Sequence, residues 1–153
     1  MSRPPKTSPK PAAATLTLYV DGAARGNPGP AGAGVVLFGS DGQVRGQLQL
    51  YLGEVTNNAA EYAALLLGLQ EAARMGARQV KVRTDSQLLA RQVSGEYRVK
   101  DKQLRLLHAL AGHLAGGFHR FDIEHIPRAQ NRQADRLANR AVNEGAMPLF
   151  SDG

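Results

Sequence analysis

Residues 15–38 read TLTLYVDGAARGNPGPAGAGVVLF, and the fold is decided by how this stretch is read. Leu16, Leu18 and Val20 alternate with Thr15, Thr17 and Tyr19, the two-residue period of a strand rather than the 3.6-residue period of a helix. The spacing predicts a strand that stops at Asp21, followed at once by Gly22. Asn27-Pro28-Gly29-Pro30 supplies turn chemistry, glycine for positive φ and proline for a fixed one. A second apolar run begins at Val35 and ends at Phe38. The unit predicted is a hairpin whose first strand delivers a carboxylate to the end of a sheet. The glycines do not make a phosphate loop. Gly29, Gly32 and Gly34 miss the G-x-G-x-x-G spacing, no Lys-Ser/Thr pair follows, and the next element is β-branched rather than helical.

Working outward, Gln43–Tyr51 places Val44, Gly46, Leu48 and Leu50 on one side, a third strand after an Asp41-Gly42 turn. Strands joined by turns this short run antiparallel. Thr56-Asn57-Asn58 is N-cap chemistry for a long Ala/Leu-rich helix reaching about Met75 and closed by Gly76. Gln79–Thr84 reads as a fourth strand, Ser86–Val93 as a short helix, and Lys100–Ala115 as a helix with Leu104, Leu107, Leu110, Ala111 and Leu114 on its stripe. Phe118–Ile126 reads as a fifth strand with Phe121, Ile123 and His125 on one face and Asp122, Glu124 and Ile126 on the other. Ala134, Leu137, Ala138, Ala141 and Val142 then mark an amphipathic C-terminal helix.

The chain has 153 residues, suited to one domain with a real core. It contains no Cys, which excludes disulfides, thiolate zinc sites and Cys nucleophiles and is compatible with a reducing cytoplasm. No apolar run approaches the roughly 20 residues of a membrane span, and the N-terminus lacks a signal-peptide core. A cytoplasmic protein with no membrane partner is therefore expected. The formal charge of +6 favours polyanions. Residues 1–14, MSRPPKTSPKPAAA, hold Arg3, Lys6 and Lys10 and no acid. Too polar to offset their ordering entropy, they are expected to form a disordered basic arm. The domain is expected over residues 15–145 and a flexible tail over 146–153.

Four acids fall at element ends: Asp21 and Asp85 after the first and fourth strands, Glu61 and Asp135 in the first turns of the long and last helices. If the first and fourth strands are parallel neighbours, both strand-end acids share the sheet edge where open α/β sheets place their sites. Structural alternatives stand beside this. Asp21 could serve a turn, Asp85 could cap a helix, and Glu61 and Asp135 could complement helix dipoles. Convergent carboxylates repel unless a cation neutralises them. With all-oxygen donors and no metal spacing among His108, His113, His119 and His125, the cation expected is Mg²⁺ or Mn²⁺. Two such ions about 4 Å apart stabilise the attacking and leaving oxygens at phosphorus.

The ordered set Asp21-Gly22, Gly26-Asn27-Pro28-Gly29-Pro30, Thr56-Asn57-Asn58-Ala59-Ala60-Glu61, Thr84-Asp85-Ser86-Gln87 and Asn131-Arg132-Gln133-Ala134-Asp135 resembles type 1 ribonuclease H. The resemblance implies an α/β ribonuclease H-like fold: a mixed five-stranded sheet, strands one to three antiparallel and four and five parallel to the first, flanked by helices. It implies hydrolysis of the RNA strand of RNA–DNA hybrids with two Mg²⁺ or Mn²⁺ ions on Asp21, Glu61, Asp85 and Asp135, Glu61 also orienting the attacking water. Asn27, Asn58 and Gln87 become contacts to bases or sugar in the minor groove, and Ser86 a further substrate contact. Thr56 and Asn57 become a DNA-phosphate pocket, and Gly22 a close approach to the sugar. For the residue that assists turnover, Arg128 on the loop after Pro127 is the first choice and His125 the second.

The chain departs from many relatives in lacking a basic, Trp-containing protrusion. Ser94–Asp101 is too short for one, and there is no Trp. Arg91, Arg98, Lys100 and Lys102 offer a smaller basic patch. Weaker hybrid affinity, partly restored by the N-terminal arm, follows. Duplex RNA is a further candidate substrate, and a monomer is expected. The competing function is a module of the same fold that binds hybrids or structured RNA without cutting.

Overall fold

β1 (Thr15–Ala24) is the middle strand of a five-stranded sheet ordered β3-β2-β1-β4-β5 in the computed structural model, which describes residues 14–145. The expected arm, apart from Ala14, and the expected tail lie outside the described residues. β2 (Gly29–Gly39) pairs antiparallel with β1, and β3 (Val44–Val55) antiparallel with β2. β4 (Gln79–Thr84) runs parallel to β1, and β5 (Arg120–His125) parallel to β4. This is the mixed sheet that the resemblance implied.

Helices cover both faces. α1 (Asn57–Arg74) lies against the face carrying Leu18, Val20 and Val35, where Gly68 lets it sit close to all three side chains. α2 (Gln87–Val93) and α3 (Lys102–Ala115) follow on that side, α3 packing on α1. A 3₁₀ turn (Arg128–Gln130) leads into α4 (Arg132–Gly145), which packs across β2, β1 and β3 on the opposite face. The core between β1, β2, β4 and α1 is built from Leu16, Leu18, Val20, Val35, Leu65 and Val82, all fully buried. Each of the first three helices starts on a side-chain cap: Thr56 Oγ1 accepts from Ala59 N–H, Ser86 Oγ from Leu89 N–H and Asp101 Oδ2 from Leu104 N–H.

Several boundaries differ from the sequence reading. β1 does not stop at Asp21; the ladder continues through Asp21 opposite Gly34 to Ala24 opposite Ala31. Gly29 and Pro30 therefore belong to β2, and the turn shrinks to residues 25–28. β3 runs on past Tyr51 to Val55. As the edge strand it leaves Val44 and Leu50 exposed despite their alternation. Leu110 is 46% exposed, because only the narrower strip of Leu104, Leu107, Ala111 and Leu114 meets the core. Ile126, assigned to the polar face, is buried: β5 ends at His125, and Ile126 N–H turns to Thr84 O at 2.8 Å.

The glycines that did not make a phosphate loop have a packing reason. A Cβ on Gly32 would fall 2.3 Å from Ala138 O, and one on Gly34 would fall 2.2 Å from Ala134 O. The backbone of α4 rests directly on β2, and only glycine permits that approach.

Candidate active site at the carboxyl end of the sheet

The last rung of the parallel β1–β4 ladder pairs Val20 with Thr84. Asp21 and Asp85 are the next residue on each chain, so register alone brings the two acids to one edge. Asp85 is not the cap of α2; Ser86 takes that role. Nor is Asp21 a turn residue, since it sits inside β1 and is buried.

Glu61 reaches the same edge from α1. Gly22 N–H donates to Glu61 Oε1 at 3.0 Å, locking the helix to the strand. A Cβ on Gly22 would fall 2.3 Å from the Ala60 carbonyl carbon, so the missing side chain here makes room for α1. Oxygens of Asp21, Glu61 and Asp85 all lie within 4.8 Å of one another.

Asp135 enters from the first turn of α4. It stands outside that trio but is near enough to act on the Asp21 carboxyl. Asn139 Nδ2 donates to Asp135 Oδ1 at 3.2 Å, and Arg25 Nη2 meets Asn139 Oδ1 at 3.3 Å.

The electrostatics of the cluster follow from crowding. Burial, the negative charge of Glu61, and contact with Asp135 and Asp85 push the Asp21 carboxyl up from 3.8 to about 10. Removal from water and the charge of Asp85 raise Glu61 from 4.5 to about 8, against the pull of Gly22 N–H and of the Arg128 charge. A group of acids that retains protons near neutral pH is a group short of cations. Its donors are all hard carboxylate oxygens, which fits a divalent ion such as Mg²⁺ or Mn²⁺ and disfavours softer metals.

The other residues singled out in the sequence fall on the turn between β1 and β2, on helix starts and at the end of β5. Asn57 N–H donates to Asn27 Oδ1 at 2.9 Å, while Asn57 Oδ1 accepts from Ala24 N–H at 3.2 Å, so the β1–β2 turn is clamped to the start of α1. Thr56 and Ser86 are caps, and Asn58 and Gln87 are exposed beside them. Arg128 stands on the 3₁₀ turn, near enough for its charge to act on Glu61. His125 is the last residue of β5, exposed and opposite Thr84.

Sequence reading missed two residues. Asn131 is 1% exposed and donates from Nδ2 to both Val20 O and Asp85 Oδ1. Its signal was its place just ahead of the last helix, four residues before Asp135, where an Asn reads first as a cap. Arg25, which carried no role in the sequence reading, donates to Asn143 Oδ1 on α4 at 2.7 Å. Nothing local in the sequence announced that contact.

A family model described as reverse transcriptase-like matches residues 19–141. The chain is 44% identical over 126 residues to Ribonuclease HI of Halobacterium salinarum, covering 82% of this chain and 63% of that protein. It is 41% identical over 138 residues to Bifunctional protein Rv2228c of Mycobacterium tuberculosis, covering 90% of this chain and 38% of that one. The chain thus spans well under half of the mycobacterial relative and somewhat under two thirds of the halobacterial one. The N-terminal RNase H domain of Rv2228c superposes with a TM-score of 0.84 at 42% identity, over 87% of this chain and 96% of that one. LC11-RNase H1 in complex with an RNA/DNA hybrid superposes at 0.82 and 39%, over 86% and 99%. In sequence and in fold, the chain belongs to the type 1 ribonuclease H family.

Proposed function

We propose that this chain, through residues 15–145, is a divalent-metal-dependent endoribonuclease that hydrolyses the RNA strand of RNA–DNA hybrids. The observation that carries the reading is the meeting of Asp21 on β1, Asp85 just past β4 and Glu61 on α1 within 4.8 Å. The likeness to LC11-RNase H1, whose structure holds an RNA/DNA hybrid, supports the substrate. In this reading Asp21, Glu61, Asp85 and Asp135 hold two Mg²⁺ or Mn²⁺ ions. Such ions supply charge for the attacking and leaving oxygens of the phosphodiester.

The residues of the chain do the rest. Glu61, steadied by Gly22 N–H, orients the attacking water. Arg128 faces the phosphate and assists product departure, with His125 the second choice. Asn27, Asn58 and Gln87 touch the hybrid at its minor groove, where a 2′-hydroxyl distinguishes RNA from DNA, with Ser86 a further substrate contact and the Gly22 backbone close to the sugar. Thr56 and Asn57 hold a DNA phosphate at the start of α1, where helix N–H groups favour an anion. The Thr56 hydroxyl accepts from Ala59 N–H and still has its own proton to donate. The protein acts as a monomer in a reducing cytoplasm, with duplex RNA as a further candidate substrate.

The test sets a labelled hybrid, an RNA duplex and a DNA duplex side by side with Mg²⁺, Mn²⁺ or EDTA. The hybrid is cut within its RNA strand, only with metal. Asp85→Asn binds hybrid and does not cut it. Binding without cutting by the unaltered chain in either metal identifies the non-cleaving module instead.

A further inference from the structure

Exposed arginines stand at every fourth position from the 3₁₀ turn down α4: Arg128, Arg132, Arg136 and Arg140. Four residues of helix advance about 6 Å, so the row follows the helix away from the acids. All four line one open groove of about 890 Å³, which also takes in Asp135 and Asn139.

The row is locally unfavourable. Like charges at i, i+4 repel by about 0.2–0.5 kcal/mol per pair, and cations at a helix start oppose the macrodipole. An amphipathic helix needs a polar outer face opposite its buried Ala134, Leu137, Ala138, Ala141 and Val142, but mixed charges would provide one without this cost. Among the described residues none of the four arginines forms a salt bridge; Arg140 Nε donates only to neutral Gln49 Oε1. Arg25, bonded to Asn143 and Asn139 at the rim, adds charge of the same sign. The feature missing from the row is an anion.

The groove is continuous with the acid cluster, because Asp135 belongs to both and Arg128 acts on Glu61. Phosphates reaching it are therefore the ones next to the cut phosphate on the same strand. We propose that the α4 groove seats the RNA-strand phosphates flanking the cut, on one side of it, so that this chain grips its hybrid through α4 in place of a basic protrusion. This rests on the hybrid-nuclease reading.

The test measures hybrid binding against salt in the full chain carrying Asp85→Asn, so that cutting does not intervene. Adding Arg136→Gln and Arg140→Gln lowers affinity about tenfold or more at moderate salt. It also flattens the plot of log affinity against log salt by about 1.5–2, the share of two phosphate contacts. Arg136→Lys with Arg140→Lys restores the slope. The equal charge loss in Arg105→Gln with Arg120→Gln, on α3 and at the far end of β5, leaves it unchanged. Trimming the RNA strand on one side of the cut, with the DNA strand intact, abolishes the sensitivity to Arg136 and Arg140. An unchanged slope, or a sensitivity that survives trimming from either side, overturns the proposal while leaving a cutting enzyme. Absence of hybrid cleavage by the unaltered chain overturns the parent reading and this proposal together.

Discussion

Asn131 Nδ2 donates to Asp85 Oδ1 at 3.1 Å and to Val20 O at 2.9 Å, so one buried amide ties the start of α4 to the ends of both β1 and β4. Its own Oδ1 is buried without a partner among the described residues, a cost that the two donated bonds offset. Asn131→Ala removes both bonds, one of them to an acid, and destabilises the fold by about 2–3 kcal/mol. Half-saturating Mg²⁺ rises several-fold because Asp85 loses its anchor. Asn131→Asp keeps the shape but loses both donors and faces Asp85 with a like charge. It is less stable than Asn131→Ala without metal and regains more with metal. Denaturant unfolding with and without Mg²⁺ checks both.

The raised Asp21 and Glu61 carboxyls fix the sign of a pH effect. In the unfolded chain these groups release protons near 3.8 and 4.5, and in the metal-free fold near 10 and 8. Between those limits the folded state binds more protons than the unfolded state, so stability falls as pH rises. Metal-free protein is therefore expected to lose thermal stability from pH 5 to pH 9. A divalent ion favours the ionised acids, so the rise in Tm on adding Mg²⁺ grows over the same window. Asp21→Asn shows a flatter profile and a smaller Mg²⁺ gain. A Tm that climbs with pH in the metal-free protein contradicts the assignment.

The strands, the antiparallel run of the first three and the positions of three of the acids at element ends were legible from local signals, whereas the parallel placing of β4 and β5 came only from the family resemblance. Leu16, Leu18 and Val20 alternate, Thr56 caps, and Asp85 follows directly on β4. Asp135 was legible as a helix-start acid, and its approach to Asp21 depends on α4 lying close on β2. That closeness is fixed by Gly32 and Gly34, whose role in packing against a distant helix has no signature in their own neighbourhood. Asn131 and Arg25 were missed for the same reason, since each acts across more than 100 residues of chain. Leu110 shows the opposite error: a helical period names a face but not how wide a strip the neighbouring helix covers.

Gly34→Ala tests whether α4 sets the site. The added Cβ would stand 2.2 Å from Ala134 O and 2.6 Å from Ala138 N, both backbone atoms that cannot turn aside. The helix must lift, at a cost of about 1–3 kcal/mol or more. Asp135, one residue beyond Ala134, lifts with it, so the variant loses metal affinity as well as stability. Gly76→Ala, at φ +80 with open space around it, pays about 1–2 kcal/mol for its backbone conformation alone and keeps its metal affinity. Paired unfolding and Mg²⁺ titrations separate the two, and equal metal affinities would detach α4 packing from the site.

Arg128 and His125 are separated by the pH dependence of cutting. The Arg128 charge pulls the Glu61 carboxyl down against the larger effects of burial and Asp85. Arg128→Gln removes that pull, so Glu61 retains its proton to higher pH and the acid limb of kcat/KM moves upward. The rate in the pH-independent region falls roughly tenfold, within the range of one positioned charged or acid–base group. His125 is the exposed last residue of β5, and His125→Ala is expected to leave the acid limb where it is. Profiles are recorded at fixed, saturating Mg²⁺ so that ion occupancy does not differ between variants. A limb that moves in His125→Ala and stays put in Arg128→Gln reverses the assignment and makes the histidine the residue that assists turnover.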